Sequence, residues 1–274
     1  MPRILASNLE KSIKPKFKLF QDSGLDPTHI VEIVCATPTI LTRSVDNRLG
    51  PSILELKSVL GSFAAVSKVL RISRWVLNHD LKRTMMPNVE FLKSCGVSSS
   101  QIVNSLFNFP HFFLTKPETL RDYAEKIEDM GLDRQSRMFI HAIRVKCSMT
   151  RETWELKLKL LRNMGFTEED ILTVFRRAPQ VFAVSRTKIL ASVQFFLSAQ
   201  DLGISFVVKH PELLTFSVER RVKTRFEVIK VLKTKNLLPG KPGLATICKM
   251  TQKQFVDKYV NPYSFQLGLV IQNQ

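Results

Sequence analysis

Lys11, Arg48, Arg83, Lys188, Arg220 and Arg221 stand nine or ten residues after one recurring position of the chain, held by Pro2, Pro38, Arg74, Pro179 and Pro211. Long cationic side chains at a fixed phase suit one chemistry above others, the neutralisation of successive phosphates along a nucleic-acid backbone. Two further cations, Arg176 and Arg177, close a predicted helix, and the stretch 176–235 holds 12 Lys and Arg against 4 Asp and Glu. The chain of 274 residues carries 41 Lys and Arg against 24 Asp and Glu, a formal net charge of +17. Such a field draws anions. One solvated Lys or Arg means little by itself, but cations in equal phase of a stacked array share a face.

Other chemistries are poorly supplied. Cys35, Cys95, Cys147 and Cys248 stand far apart, with no C-x-x-C pair and no histidine at zinc-ligand spacing, so they read as free thiols of a reducing compartment. His141 and Cys147 come nearest to a metal pair or a catalytic dyad, yet no further ligand or orienting group stands beside them. They read as ordinary helix residues. No Gly-rich phosphate loop, H-E-x-x-H or G-x-S-x-G occurs. The expectation is therefore no enzyme, no cofactor and no metal. No stretch reaches the ~18 apolar residues of a membrane span. The run from Ile189 to Ala199 is broken by Ser192 and Gln194, so no integral membrane association is expected.

The elements that would position the cations show in the glycines and prolines. Gly24, Gly61, Gly96, Gly131 and Gly165 are 37, 35, 35 and 34 residues apart, a period typical of helical repeats. Gly24, Gly96 and Gly165 precede Pro38, Pro110 and Pro179 by the same 14 residues, and each proline opens a motif P-x-Φ-Φ, where Φ is apolar. The motif recurs at Pro2-Arg3-Ile4-Leu5, Pro38-Thr39-Ile40-Leu41, Pro110-His111-Phe112-Phe113, Pro179-Gln180-Val181-Phe182 and Pro211-Glu212-Leu213-Leu214, and without proline at Arg74-Trp75-Val76-Leu77.

Seven and four residues before the proline lie Val31 and Val34, Val103 and Leu106, Leu172 and Phe175, and Ile204 and Val207, read as the inner face of a short helix. Val66 and Leu70 fit that spacing less regularly. One repeat is then a first helix such as 153–164, a left-handed glycine, a second helix such as 167–177, and a proline segment that dips two apolar residues into the core. Neither helix buries its face alone, so repeats must stack. Near Gly131 the expected proline is missing around 145–147, although Met138, Phe139 and Ala142 keep an apolar face. Gly203, only 8 residues before Pro211, is not equivalent to the other glycines. Pro239-Gly240-Lys241-Pro242-Gly243 breaks the array, and Phe255, Tyr259 and Val260 mark a covering helix.

A serine six residues after the proline, at Ser44, Ser185 and Ser217, reads as a helix cap rather than a phosphate donor. Trp75 and Trp154 read as core rather than base-stacking platforms.

The repeated P-x-Φ-Φ, the sixth-position serine and the basic helix after it resemble the mitochondrial transcription termination factor (mTERF) family, plant organellar type, over nearly the whole chain. The segment 206–225, F-V-V-K-H-P-E-L-L-T-F-S-V-E-R-R-V-K-T-R, is especially like it. Where family members often have Pro-Arg, this chain has Thr224-Arg225. The resemblance implies an all-α, right-handed-type solenoid of repeats of about 30–38 residues, two helices plus a short third, curved into a half-ring that binds duplex nucleic acid on a basic concave side. It also implies residence in mitochondria or chloroplasts and a role in transcription termination, initiation or RNA processing.

The domain reading is one continuous solenoid. Residues 1–16 end a truncated N-terminal repeat, 17–235 form about six repeats, and 236–274 form a C-terminal cap. Pro15, Pro51 and Pro87, at intervals of 36, continue the phase from the first residues and argue against a transit peptide. The expected interface comprises Arg48, Arg83, Arg176, Arg177, Arg186, Lys188, Arg220, Arg221, Lys223 and Arg225. Its expected partner is double-stranded DNA, met by a monomer that regulates transcription. RNA, in intron splicing or ribosomal RNA maturation, is the second reading, and a protein-binding helical scaffold is the third.

Overall fold

The computed structural model describes residues 7–198, 202–238 and 240–268, and among them every regular element is helical. The chain forms two compact units, Met1–Ser148 and Met149–Gln274. In the first, α1 (Lys14–Asp22), α3 (Gly50–Leu60), α5 (Met85–Ser94) and α7 (Pro117–Asp129) are first helices of repeats. They alternate with second helices α2 (Pro27–Ala36), α4 (Phe63–Ile72), α6 (Ser99–Asn108) and α8 (Phe139–Cys147). In the second unit, α9 (Arg151–Asn163), α11 (Arg186–Ser198) and α13 (Thr224–Thr234) are first helices. Their partners are α10 (Glu168–Arg177), α12 (Ile204–Lys209) and α14 (Leu244–Lys249), and α15 (Gln252–Tyr259) covers the last.

Gly24, Gly61, Gly96, Gly131 and Gly165 all take left-handed φ, from +78° to +91°, and so turn the chain from each first helix into the second. Gly203 does not: at φ −68° it is the N-cap of α12, which begins a turn later than its counterparts. The residues Thr37, Ser73, Phe109, Ala178 and His210 share φ between −130° and −147°. After them the chain makes one 3-10 turn, Pro38–Thr42, Arg74–Asn78, Pro110–Leu114, Pro179–Ala183 and Pro211–Thr215. Proline excludes the α conformation from its predecessor; Ser73 adopts the same geometry without one. Each turn buries its Φ-Φ pair, from Ile40 and Leu41 to Leu213 and Leu214. Pro2-Arg3-Ile4-Leu5 lies outside the described residues.

The inner face of the second helices differs from the expectation by one residue. Ile30 and Ile33, Val66, Val69 and Leu70, Ile102 and Leu106, and Ile171, Val174 and Phe175 are buried, whereas Val31 is 55% exposed. The face runs through the eighth, fifth and fourth residues before the proline position, so the helix with Val66 and Leu70 is the regular one. Trp154 is buried against Phe175 and Phe182, with ring centroids 5.3 and 5.0 Å away. Trp75, expected in the core, is half-buried between His79 and His111. Phe255 and Tyr259 of α15 pack with Val228, Leu232 and Ile247, as a cap must.

First helices also carry a recurring buried polar residue: Lys16, Ser52, Asn88, Lys157, Ser192 and Arg225. Lys157 and Ser192 stand seven residues after their caps, Thr150 and Ser185. The others stand eight after Asn8, Ser44, Asp80 and Ser217, because an i→i+5 turn at the helix start, such as Leu49 N–H to Ser44 O at 3.0 Å, inserts one residue. Three of them cap carbonyls at the end of the next helical turn. Asn88 donates to Phe113 O and Thr115 O at 3.0 and 2.7 Å, Lys157 to Phe182 O and Val184 O at 2.5 and 2.6 Å, and Arg225 to Ile247 O and Met250 O at 2.8 and 2.7 Å. These contacts tie each of these first helices to the closing segment of its own repeat and satisfy carbonyls that would otherwise be orphaned.

Candidate nucleic-acid interface

The cations expected on one basic face divide into three groups. The first is spent inside the fold. Arg225, expected to meet nucleic acid, is 2% exposed and donates to the carbonyls just described. Arg221 donates to Cys248 O and Met250 O at 3.0 and 2.7 Å and lies 4.0 Å over the Phe216 ring. Lys188 donates to Thr215 O, and Arg48 binds Asp80 Oδ2 at 2.5 Å. The shared phase is real, but Lys188 and Arg221, like Arg225, are spent on carbonyls that close their own repeat, and Arg48 on Asp80 at the start of the next. Equal phase in a stack implies equal environment, and the seam between a first helix and the end of its own repeat is one such environment.

The second group is paired on the surface: Arg176 with Glu169 at 2.9 Å and Lys223 with Glu219 at 2.5 Å. A phosphate would have to compete with these carboxylates, which exposed pairs permit at small cost. The third group faces solvent. Arg83 is 86% exposed and 3.8 Å from Asp80, and Arg177, Arg186 and Arg220 are exposed. Arg220 and Lys188 lend only their backbone N–H to Ser217 and Ser185, the caps read from the sequence; Ser44 caps Asn47 in the same way.

Lys209 and Lys249 were not singled out by phase, yet with Arg177 they form a cationic surface of the second unit. Arg177 Nη1 donates to Lys209 O at 3.1 Å, and Lys249 pairs with Glu212, which also stands 3.9 Å from His210 Nδ1. Three permanent cations thus act on His210, and one of them, Lys249, pairs with Glu212. Burial holds the His210 imidazole below its usual pKa; the charge of Lys249 adds to this, Glu212 opposes it, and Lys209 and Arg177 contribute further. The available signal was that Arg177 and Lys209 both stand two residues before a proline, at the C-terminal ends of α10 and α12. Cations there also complement the helix dipole.

Asp80 takes the place that serine holds in other repeats and caps Arg83 N–H at 3.3 Å. Burial opposes its ionisation, but the hydrogen bond and charge of Arg48, with Arg83, hold its carboxyl below the usual range. Lys157 is pushed below the ordinary lysine range by burial and then by the charge of Arg186.

The alternative chemistries gain nothing. Burial pushes the Cys147 thiol up to about 12, the reverse of an activated nucleophile, and lowers the pKa of His141. All four cysteines are free thiols. Among the described residues no group of three or more His, Cys, Asp and Glu could hold a metal ion, and no helix is long and apolar enough to cross a membrane.

Comparison with known proteins agrees with this architecture. The chain is 23% identical over 228 residues to the chloroplastic transcription termination factor MTERF8 of Arabidopsis thaliana, covering 82% of this chain and 45% of that protein. It is 28% identical over 115 residues to the mitochondrial transcription termination factor MTERF15 of the same plant, covering 41% of this chain and 26% of that protein. The chain therefore spans less than half the length of these relatives. The sequence model of the mTERF family matches residues 1–256, and with its glycine-hinged helix pairs and buried P-x-Φ-Φ turns the chain belongs to that family.

Proposed function

We propose that this chain is an organellar nucleic-acid-binding protein that regulates transcription by gripping the phosphate backbone of duplex DNA. The observation that carries the reading is the surface formed by Arg177, Lys209 and Lys249, three cations gathered around His210, of which, among the described residues, Lys249 alone pairs with a carboxylate, that of Glu212. Arg186 and Arg220 extend the set within the second unit as exposed side chains at the starts of first helices, and Arg83 is exposed at the equivalent place in the first unit. Arg176 and Lys223 are available once their surface pairs open. Each phosphate neutralised by such a side chain releases condensed counterions, so binding weakens steeply with salt. These contacts position the protein on its target without reading sequence. Arg48, Lys188, Arg221 and Arg225 serve the interface indirectly, by fixing the repeats that carry it. The relatives are named for the chloroplast and the mitochondrion and for transcription termination, and we assign this chain to the same setting. It acts as a monomer without cofactor.

Fluorescence anisotropy with duplex DNA, structured RNA and single strands at two salt concentrations tests the reading. Duplex DNA is expected to bind best, with affinity falling as salt rises. A preference for structured RNA moves the assignment to RNA processing. Absence of salt-sensitive binding to all three overturns it.

A further inference from the structure

Glu212, in the 3-10 turn Pro211–Thr215, turns one carboxylate oxygen, Oε1, toward two partners. Lys249, at the end of α14, pairs with it directly, and Nδ1 of His210, the residue that caps α12, lies 3.9 Å away. At that distance the imidazole stands beside the carboxylate without a hydrogen bond to it. The His210 side chain is 24% exposed, so it is part of the surface, and it packs against the Phe206 ring with centroids 5.1 Å apart. The charges that act on it come from α10 (Arg177), α12 (Lys209), its own turn (Glu212) and α14 (Lys249). Arg177 is fixed there by its bond to Lys209 O at 3.1 Å. The first helix α11 also packs on this turn, but its Lys188 is bonded to Thr215 O. Burial, then Lys249, and after the opposing pull of Glu212 also Lys209 and Arg177, hold the free imidazole below the ordinary histidine value of 6.5, and so neutral at pH 7.

Resting on the phosphate-binding role proposed for this surface, we infer that nucleic-acid binding is coupled to the uptake of one proton by His210, through an exchange of partners at Glu212. A backbone phosphate takes Lys249, and the carboxylate that Lys249 leaves turns to the imidazolium. Phosphates that neutralise Arg177, Lys209 and Lys249 cancel the three repulsions that oppose protonation, and Glu212 Oε1 keeps His210 as its partner. The proton comes from solvent to the imidazole, and no covalent bond is made or broken elsewhere. The imidazolium in turn screens Glu212 from the phosphates, two like charges that would otherwise repel. The complex therefore holds more protons than the free chain. Affinity rises as pH falls through the His210 pKa of the complex and levels off below the lower pKa of the free chain. The surface grips weakly at pH 8 and more tightly at pH 6.

The test is fluorescence anisotropy of the full chain with one duplex DNA at pH 6 and pH 8, at equal ionic strength. The parent is expected to bind about threefold to fivefold tighter at pH 6, the response to a His210 pKa that rises by about one pH unit in the complex. His210→Gln should lose this difference. The remaining histidines, His29, His79, His111 and His141, lie in the first unit and titrate in both proteins, so the comparison isolates His210. Glu212→Gln, which removes the exchanging carboxylate, should bind more tightly than the parent at pH 8 and respond less to pH. The His210 imidazole resonance of the parent, titrated with and without duplex DNA, should move its midpoint up by about one pH unit on binding, a readout that needs no variant to fold. Salt-sensitive binding that is equal at the two pH values, a pH response that survives His210→Gln, or an imidazole midpoint that DNA leaves in place or lowers overturns the inference while the surface keeps its assignment to nucleic acid. Binding that is absent or indifferent to salt at both pH values overturns that assignment and the inference together.

Discussion

Replacing Lys157 by methionine keeps the length of the side chain and removes only the ammonium. Lys157 is 5% exposed, and its Nζ bonds Phe182 O at 2.5 Å and Val184 O at 2.6 Å, closing the 3-10 turn of the next helical segment. Hydrogen bonds from a charged donor contribute about 1.5–3 kcal/mol each, so two lost bonds cost about 3–6 kcal/mol. Burying an ammonium is itself expensive, and methionine escapes that penalty of several kcal/mol. The difference leaves a net destabilisation of about 2 kcal/mol, or a fall in Tm of about 7 °C for a unit of this size. Trp154 is 5.0 Å from Phe182 and reports this packing directly. In a Trp75→Phe background, thermal unfolding followed by its fluorescence should show the shift, while Lys159→Met, at an exposed position on the same helix, should stay within about 1–2 °C. A Lys157→Met protein as stable as the parent, or more so, would refute the reasoning: the buried ammonium would then be a tolerated charge rather than a cap on the turn that closes its repeat.

Three other perturbations have defined outcomes. Gly165→Ala places a Cβ at φ +91° and 3.2 Å from Ile204 Cδ1, and should lower stability in urea melts by about 1–3 kcal/mol; Gly203→Ala, at φ −68° and with its nearest neighbour at 3.6 Å, should change it by no more than about 0.5 kcal/mol. The carboxyl of Asp80 titrates below the unfolded value of 3.8, so its stabilising contribution is full above that pH and is lost as pH falls through the lower folded value. Asp80→Asn should flatten the acid limb of a stability-versus-pH curve, and an unchanged limb would show that the Arg48 pair does not matter there. A thiol-specific reagent at pH 8 should label exposed Cys35 quickly, while Cys147 and Cys248, with pKa values pushed up to about 12 and about 11, should react only on unfolding. Fast labelling of the native Cys147 would contradict its burial.

The scaffold was written in the backbone-determining residues. Five glycines at one period all adopt left-handed φ, and every described P-x-Φ-Φ pair is buried, because glycine and proline act through local sterics that need no tertiary context. Side-chain destinations were less legible. Counting from the proline gave Arg48, Lys188 and Arg221 one phase, but that phase meets the end of the repeat or the cap that follows it rather than solvent. Val31 fits an apolar periodicity yet lies at its edge, one residue from the buried Ile30. The buried polar residue of six of the seven first helices was hidden because the inserted residue at some helix starts shifts its spacing from seven to eight after the cap. A lysine among apolar neighbours, as at Trp154, Lys157 and Leu161, was the remaining clue.

Salt dependence of duplex-DNA binding by the parent chain and by an Arg177→Gln, Lys209→Gln, Lys249→Gln variant tests the central claim most directly. If these three cations each neutralise a phosphate, the slope of log K against log salt should become shallower by about 2.7, since each contact contributes about 0.9. An Arg83→Gln change should remove about one further contact. A variant that keeps the parent slope, with its fold intact by circular dichroism, would contradict the assignment of this surface to nucleic acid.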